Sequence, residues 1–269
     1  MPELPEVETI RRTLAQHLPG RRICEVEIRL PKLVSPEPER FQHLLRGQRF
    51  SSFARRGKLL LAHLSDWVLL VHFRLTGQLI YLPKFTHEPR FTHLVFTLDQ
   101  GYLFYADLRQ FGGLELVAEK DLVNHPFLKR LGPEPLDLDF QRFYKLLQRR
   151  RRLKALLLDQ EVLAGLGNIY VDESLFRAGL HPERLASSLD RKEAQKLWQV
   201  IRQVLLKAIE TGGSSVRNYV DGEGREGTFQ NHHLVYNKKG EPCPRCAHPI
   251  LYAKIAGRGT YFCPQCQPL

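Results

Sequence analysis

The sequence predicts an α+β chain of more than one domain: an N-terminal helix with a β-sandwich, then a helical domain, then a metal ribbon. Three observations carry this. Short apolar runs separated by turn signals fill the first half at a sandwich or barrel cadence. Helical periodicity replaces them from Asp137 to about Gly212, and two C-x-x-C pairs close the chain. The 269 residues suit one large domain or two ordinary ones, and 43% hydrophobic residues supply a core, which argues against global disorder. No run of 18 apolar residues occurs, so a membrane-spanning helix is not expected.

In order, a helix is expected just after Pro5, with Val7, Ile10 and Leu14 at helical spacing. Strands follow at 23–28, 59–63, 67–73, 79–82, 93–98 and 102–105, divided by signals such as Arg56-Gly57, Thr76-Gly77 and Asp99-Gln100-Gly101. The Pro- and Gly-rich segment 132–136 reads as a linker between an N-terminal domain (1–131) and a helical domain (137–230), with a ribbon over 231–269. Phe140, Phe143, Leu146 and Leu147 mark one amphipathic stripe; Leu197, Val200, Ile201, Val204, Leu205 and Ile209 mark another. Between them AGLGNIYVDE (164–173) is a Gly-rich break into a helix, and 212–230 reads as a mobile loop.

Charge points to the partner. Forty Lys+Arg against 29 Asp+Glu leave +11, and the pI is about 9.6. That excess favours a polyanion, nucleic acid before an anionic membrane surface. Arg149, Arg150, Arg151, Arg152 and Lys154 fall within six residues of a folded-looking stretch, as a phosphate-contacting surface would. The N-terminal MPELPEVETIRR lacks the basic-then-apolar run of a signal peptide, so a cytoplasmic protein is expected.

Cys243-x-x-Cys246 and Cys263-x-x-Cys266 are separated by 16 residues. Each pair brings two thiolates together from one turn, and two turns complete a tetrahedral S4 site for one structural Zn2+. The same ligands also suit iron; disulfides are disfavoured in a reducing cytoplasm. A hairpin is expected between the pairs, turned by Gly257-Arg258-Gly259, from which Arg258 projects as a phosphate contact or as a solvated turn residue. Cys24 stands apart and reads as a small core residue.

The N-terminus carries chemistry of its own. Removal of Met1 leaves Pro2 as a secondary amine, and α-amino groups titrate near ~8, low enough to be nucleophilic at neutral pH. Its attack on an anomeric carbon yields an iminium ion, an electron sink that acidifies the neighbouring C–H. Glu3 beside it can donate a proton to a sugar oxygen. Acidic residues at a helix start are also favoured by the helix dipole alone.

PELPEVET at 2–9 resembles the N-terminal signature of bacterial formamidopyrimidine-DNA glycosylases. RRGK at 55–58, DLRQFG at 107–112, LGPEPL at 131–136, AGLGNIYVDE at 164–173 and CPRC…AGRGTYFCPQC match in the expected order along the whole chain. The related endonuclease VIII enzymes usually read PEGPE, and Leu4 favours the purine-lesion branch.

The resemblance implies a monomeric base-excision repair enzyme that removes oxidised purines from damaged duplex DNA and nicks the abasic site by β,δ-elimination, with neither nucleotide cofactor nor membrane. It implies Pro2 as Schiff-base nucleophile, Glu3 as acid, Lys58 as proton donor for β-elimination and Arg258 beside the departing phosphate. AGLGNIYVDE would be the turn of a helix–two-turn–helix motif with Asn168 on phosphate, and Arg149 and Lys154 would add phosphate contacts. Arg109 and Phe111 would fill the hole left by a flipped base. Leu75 stands where the family's third filler is usually methionine. Phe91 stands where a histidine is common, leaving His72 and His93 as further DNA contacts. The loop 218–228 would close over the flipped base. Two competitors are the same scaffold acting on oxidised pyrimidines and a catalytically silent zinc-ribbon DNA-binding protein.

Overall fold

The computed structural model describes residues 2–216 and 218–269, which form two compact units. The first comprises the residues up to Lys129 together with Thr211–Thr228; the second comprises Arg130–Glu210 and Phe229–Leu269. The N-terminal unit thus ends two residues before the expected boundary. The Gly-rich loop belongs to that unit, not to the helical segment where the sequence reading put it.

The first unit opens with α1 (Leu4–His17), whose Pro5 occupies the first turn, where a missing N–H does no harm. Then come β1 (Ile23–Ile28), β2 (Val34–Ser35), α2 (Pro38–Leu45), β3 (Ser52–Arg56), β4 (Leu59–His63), β5 (Trp67–His72), β6 (Gly77–Leu82), β7 (Thr92–Leu98), β8 (Tyr102–Asp107), β9 (Gly113–Ala118) and α3 (Pro126–Arg130). One sheet runs β1-β7-β8-β6, and the other β2-β9-β5-β4-β3. All pairings are antiparallel except the short β2–β9. Phe53, Leu60, Leu69 and Val71 of one sheet and Leu79, Leu94, Phe96 and Tyr105 of the other share one buried cluster with Val7, Ile10 and Leu14 of α1. The expected strands are present. α2, α3, β2, β3 and β9 were not anticipated.

The second unit contains α4 (Phe140–Leu147), α5 (Leu153–Leu158), α6 (Asn168–Ala178) and α7 (Arg191–Glu210), then the hairpin β10 (Leu251–Ile255) and β11 (Arg258–Phe262). The ribbon packs on α6 through Phe176, Val235, Ile250 and Cys263. Its hairpin turns at Ala256-Gly257, both with positive φ (52° and 71°), as a two-residue type I′ turn requires. Arg258 therefore already lies on the strand, one residue past the turn and not at its centre as expected. Among the described residues no helix is long and apolar enough to cross a membrane.

Glu173, fully buried on α6, holds the segment leading into the ribbon. Its carboxylate accepts the backbone N–H groups of Leu234, Val235 and Tyr236 at 2.8–3.0 Å and pairs with Arg177. Glu173→Ala strands those donors in the interior, each costing about 1–3 kcal/mol. Denaturant unfolding should show a loss of at least about 3 kcal/mol; a loss below about 1 kcal/mol would contradict this role.

Candidate active site

Pro2 and Glu3 are buried where the chain enters α1. Glu3 caps the helix, and the Glu6 carboxylate reaches back to the Glu3 N–H at 2.8 Å, a reciprocal capping box. Glu6 also accepts the Ser214 N–H at 2.8 Å, so it joins the helix start to the Gly-rich loop. Gly213, at φ +82°, leaves room for this contact: a Cβ there would lie 2.9 Å from the Glu6 carboxylate. Removal of Met1, which the chemistry of Pro2 requires, lies outside the described residues.

α1 packs on β3 and β4, and its direction relative to β3 is fixed by two contacts. Glu8 pairs with Arg55 at 3.2 Å, and Arg11 donates to the Phe53 carbonyl at 3.4 Å. As α1 runs forward, β3 therefore runs backward. The β3–β4 turn, Gly57-Lys58, accordingly lies toward the α1 end that carries Pro2. Lys58 sits in the turn itself, half-buried, after a glycine whose φ of +58° the two-residue hairpin needs. Burial would raise the Glu8 carboxyl, but hydrogen bonds from Arg11 and Arg12 and the nearby Arg55 hold it at about 2.

Gly213 and Ser214 begin a loop tied down at several further points. Gln78 donates to the Asn218 carbonyl, Tyr81 N–H to Gly222 O at 2.8 Å, and the Tyr219 hydroxyl to Glu6 O at 3.3 Å. Asp221 accepts the N–H groups of Glu223 and Arg225, both at 2.9 Å. The segment read as a mobile loop is hydrogen-bonded to the sandwich in this structure.

The β5–β6 turn carries Leu75, half-buried, and the β8–β9 loop carries Arg109 and Phe111. Phe111 is 57% exposed, with the Arg109 guanidinium 4.9 Å over its ring. Gly112 permits the loop to approach β5: a Cβ there would fall 2.5 Å from the His72 carbonyl. Asp107, absent from the expected site, accepts from both segments through Thr76, Arg109, Phe111 and Gly112. An Asp closing a strand just before a loop was the available signal.

His72 packs edge-on against Phe127 at 4.7 Å, and burial, then the charges of Arg74 and His125, push it down to about 4. It is neutral at physiological pH, which weakens it as a phosphate contact. His93 is half-buried with Nε2 3.0 Å from the Asp107 carbonyl, and Phe91 is 47% exposed at φ +62°.

In the second unit Arg149 and Arg258 are exposed. Lys154 is not. It is fully buried, 2.6 Å from Asp172, and donates to the Gly259 carbonyl at 3.3 Å, so the expected phosphate contact is corrected to an internal tie. Burial pushes the Asp172 carboxyl up to about 7 against the pull of Lys154, and its second oxygen accepts the Tyr261 N–H at 3.0 Å. Asn168, the first residue of α6, also donates to the Gly259 carbonyl, at 2.8 Å. Together these bonds fix the strand beside Arg258. Cys24 is half-buried, on a strand of the first unit.

The four ribbon sulfurs lie within 4.8 Å of one another, with Cys243–Cys266 at 3.8 Å and Cys246–Cys263 at 3.5 Å. Zn–S bonds of about 2.3 Å put tetrahedral sulfurs about 3.8 Å apart. The four cysteines fit one structural zinc.

Three family descriptions match: the formamidopyrimidine-DNA glycosylase N-terminal domain over residues 1–114, its H2TH domain over 131–220, and the zinc finger found in FPG and IleRS over 240–269. A formamidopyrimidine-DNA glycosylase of Heliobacterium modesticaldum is 51% identical over 99% of this chain and 100% of its own. One from Desulfitobacterium hafniense is 46% identical over the same shares. The chain belongs to the formamidopyrimidine-DNA glycosylase family. Lactococcus lactis Fpg in complex with an abasic-site DNA superimposes with a TM-score of 0.93 at 38% identity, covering 99% of this chain and 100% of that one. The wild-type Lactococcus lactis enzyme with an N7-benzyl-Fapy-dG DNA gives 0.93 and 38%, with full coverage of both chains. The family's helix–two-turn–helix segment and zinc finger coincide with α4–α7 and the β10–β11 ribbon.

His72 and His233 make a pH prediction. Burial is the main cause in both, and each is held at about 4 against an ordinary 6.5. Between those values the unfolded chain takes up protons that the folded chain refuses, so stability is full above about 6.5 and falls as pH drops toward 4. The loss approaches about 3 kcal/mol per histidine. Glu8, held at about 2, begins to lose its contribution only below about 4.5. Proton NMR of the folded chain should show at least two imidazoles, those of His72 and His233, still neutral at pH 5; all imidazoles titrating near 6.5 would contradict it.

Proposed function

We propose that this chain excises oxidised purines such as 8-oxoguanine and formamidopyrimidines from duplex DNA and then cuts the abasic site, with Pro2 as the nucleophile. The observation that carries this reading is the convergence at the α1 start. Glu6 binds the backbone of Glu3 and of Ser214 at once, and the Gly57-Lys58 turn lies toward the same end. Glu6 thus ties the start of α1 to the Gly-rich loop, with the turn that carries Lys58 on the same side.

The Pro2 nitrogen attacks C1′ of the damaged nucleotide and the C1′–base bond breaks, the amine's proton leaving with the base; the sugar ring then opens as Glu3 gives a proton to O4′. The resulting iminium is a cation without further protonation and draws electrons from the C2′–H bond. Loss of that proton expels the 3′-phosphate; a second elimination expels the 5′-phosphate. Lys58 gives a proton to the departing 3′-phosphate oxygen while the C2′ proton passes to water, and Arg258 neutralises charge on a phosphate. The base must leave the stack before any of this, and Leu75, Arg109 and Phe111 fill the gap. Leucine has nearly the volume of the family's methionine, so the wedge is retained. Asn168, Arg149 and His93 add contacts along the DNA backbone. Zinc, held by Cys243, Cys246, Cys263 and Cys266, completes the ribbon fold and has no open position for substrate. The enzyme acts as a monomer on damaged DNA, in the bacterial cytoplasm at the nucleoid.

Single-turnover excision from 8-oxoguanine:C and thymine-glycol duplexes tests the reading. The purine lesion should be removed much faster, and Pro2→Gly should bind damaged duplex normally yet excise at least about 100-fold more slowly, since a primary-amine imine must be protonated to become equally electrophilic. Preference for thymine glycol, or a Pro2→Gly enzyme as fast as the parent, would refute it.

A further inference from the structure

We infer that Asp107 is a positioning residue that locks the turn carrying Leu75 and the loop carrying Arg109 and Phe111 into one wedge. The inference rests on the proposed glycosylase function, because only base extrusion requires a wedge.

Asp107 ends β8 and is 1% exposed. One carboxylate oxygen accepts the Thr76 hydroxyl and the Arg109 N–H at 3.2 Å; the other accepts the N–H groups of Phe111 at 3.0 Å and Gly112 at 2.8 Å. A carboxylate offers about four acceptor directions, and four donors occupy them here. The Thr76 hydroxyl in turn accepts the Arg109 N–H at 3.0 Å, so turn, carboxylate and loop close a three-membered ring of hydrogen bonds.

Neither segment needs this link for its own closure. The β5–β6 turn is already closed by Gly77 N–H on the Phe73 carbonyl at 2.9 Å. The β8–β9 loop has its own bond from Gln110 N–H to the Asp107 carbonyl at 3.2 Å. Gly77 and Asp107 are register partners, so the β6–β8 ladder already sets the two strands side by side; the bond between Thr76 and Asp107 extends that link to the turn and the loop beyond the ladder. Thr76 follows Leu75 directly, so fixing the threonine fixes where the leucine stands.

The pattern also explains how exposed wedge residues stay ordered. The backbone donors of Arg109 and Phe111 point inward to Asp107, while the Phe111 ring stays exposed under the Arg109 guanidinium. A wedge ordered before it meets DNA loses less conformational freedom on insertion. Held as one body, its three side chains enter the duplex together, and removing any one weakens what the others do.

Thr76→Val removes the link but leaves the Phe111 and Gly112 bonds in place; Thr76→Ser restores the hydroxyl. These variants carry the test, because a substitution at buried Asp107 can disturb folding. Two substrates are compared in single turnover: an 8-oxoguanine:C duplex, and a single-stranded oligonucleotide with a preformed abasic site, which has no stack to hold open. Thr76→Val should slow duplex excision about tenfold or more, the loss expected for one uncoupled buried polar contact. Single-strand nicking should stay within about twofold, and Thr76→Ser should recover most of the duplex rate. In the parent background the losses from Leu75→Ala and Phe111→Ala should combine to less than their product; in Thr76→Val they should multiply. A Thr76→Val enzyme that excises at the parent rate, a serine variant as slow as valine, or losses that multiply in both backgrounds would overturn the inference. A parent enzyme that nicks neither substrate would instead overturn the proposed function.

Discussion

Glu6 is the interaction on which the arrangement at the start of α1 depends. It is 2% exposed, and a carboxylate so placed must have its oxygens satisfied by donors of the protein. Those donors come from opposite ends of the unit's sequence: the Glu3 N–H, three residues back, and the Ser214 N–H, 208 residues on. By binding both, Glu6 ties the chain beside Pro2 to the Gly-rich loop. The Tyr219 hydroxyl on the Glu6 carbonyl adds a second tie between the same segments.

Buried acids play the same part elsewhere. Asp107 organises the wedge, Asp172 holds Lys154 and the Tyr261 N–H, and Glu173 holds the approach to the ribbon. In a chain of net charge +11, these interior acids are spent on backbone donors and internal cations, while Arg149 and Arg258 remain exposed. Interior acids set shape, and these cations are left at the surface. Within the 149–154 run only part reaches solvent freely: Arg151 pairs with Asp159, Arg152 with Glu183, and Lys154 is internal.

The ribbon, the first helix and most sandwich strands were legible because their signals are local: C-x-x-C spacing, 3.6-residue periodicity and apolar runs between turns. β3 was missed because SFARR carries two arginines, one of them committed to Glu8 on α1 and neither readable as a strand face. β9 was legible in principle, since Leu114 and Leu116 alternate with Glu115 and Val117, but it follows directly on the Gly-rich end of DLRQFG. Lys154 shows the limit of reading charge from a run. Its neighbours made it look like surface, and only its partner 18 residues away in AGLGNIYVDE shows that it is interior. Glu6 and Asp172 act through distant backbone donors, and Asp107 joins its own loop's N–H groups to a hydroxyl 31 residues away, which composition and spacing do not reveal.

The proposed chemistry turns on a covalent bond between the Pro2 amine and the sugar. Borohydride trapping on an 8-oxoguanine:C duplex, followed by proteolysis and mass spectrometry of the crosslinked peptide, tests it most directly. The expected product is a reduced sugar–protein adduct on the peptide beginning at Pro2, lost when Met1 removal is blocked. An adduct on Lys58 or another lysine, or efficient excision with no trapped adduct, would contradict it.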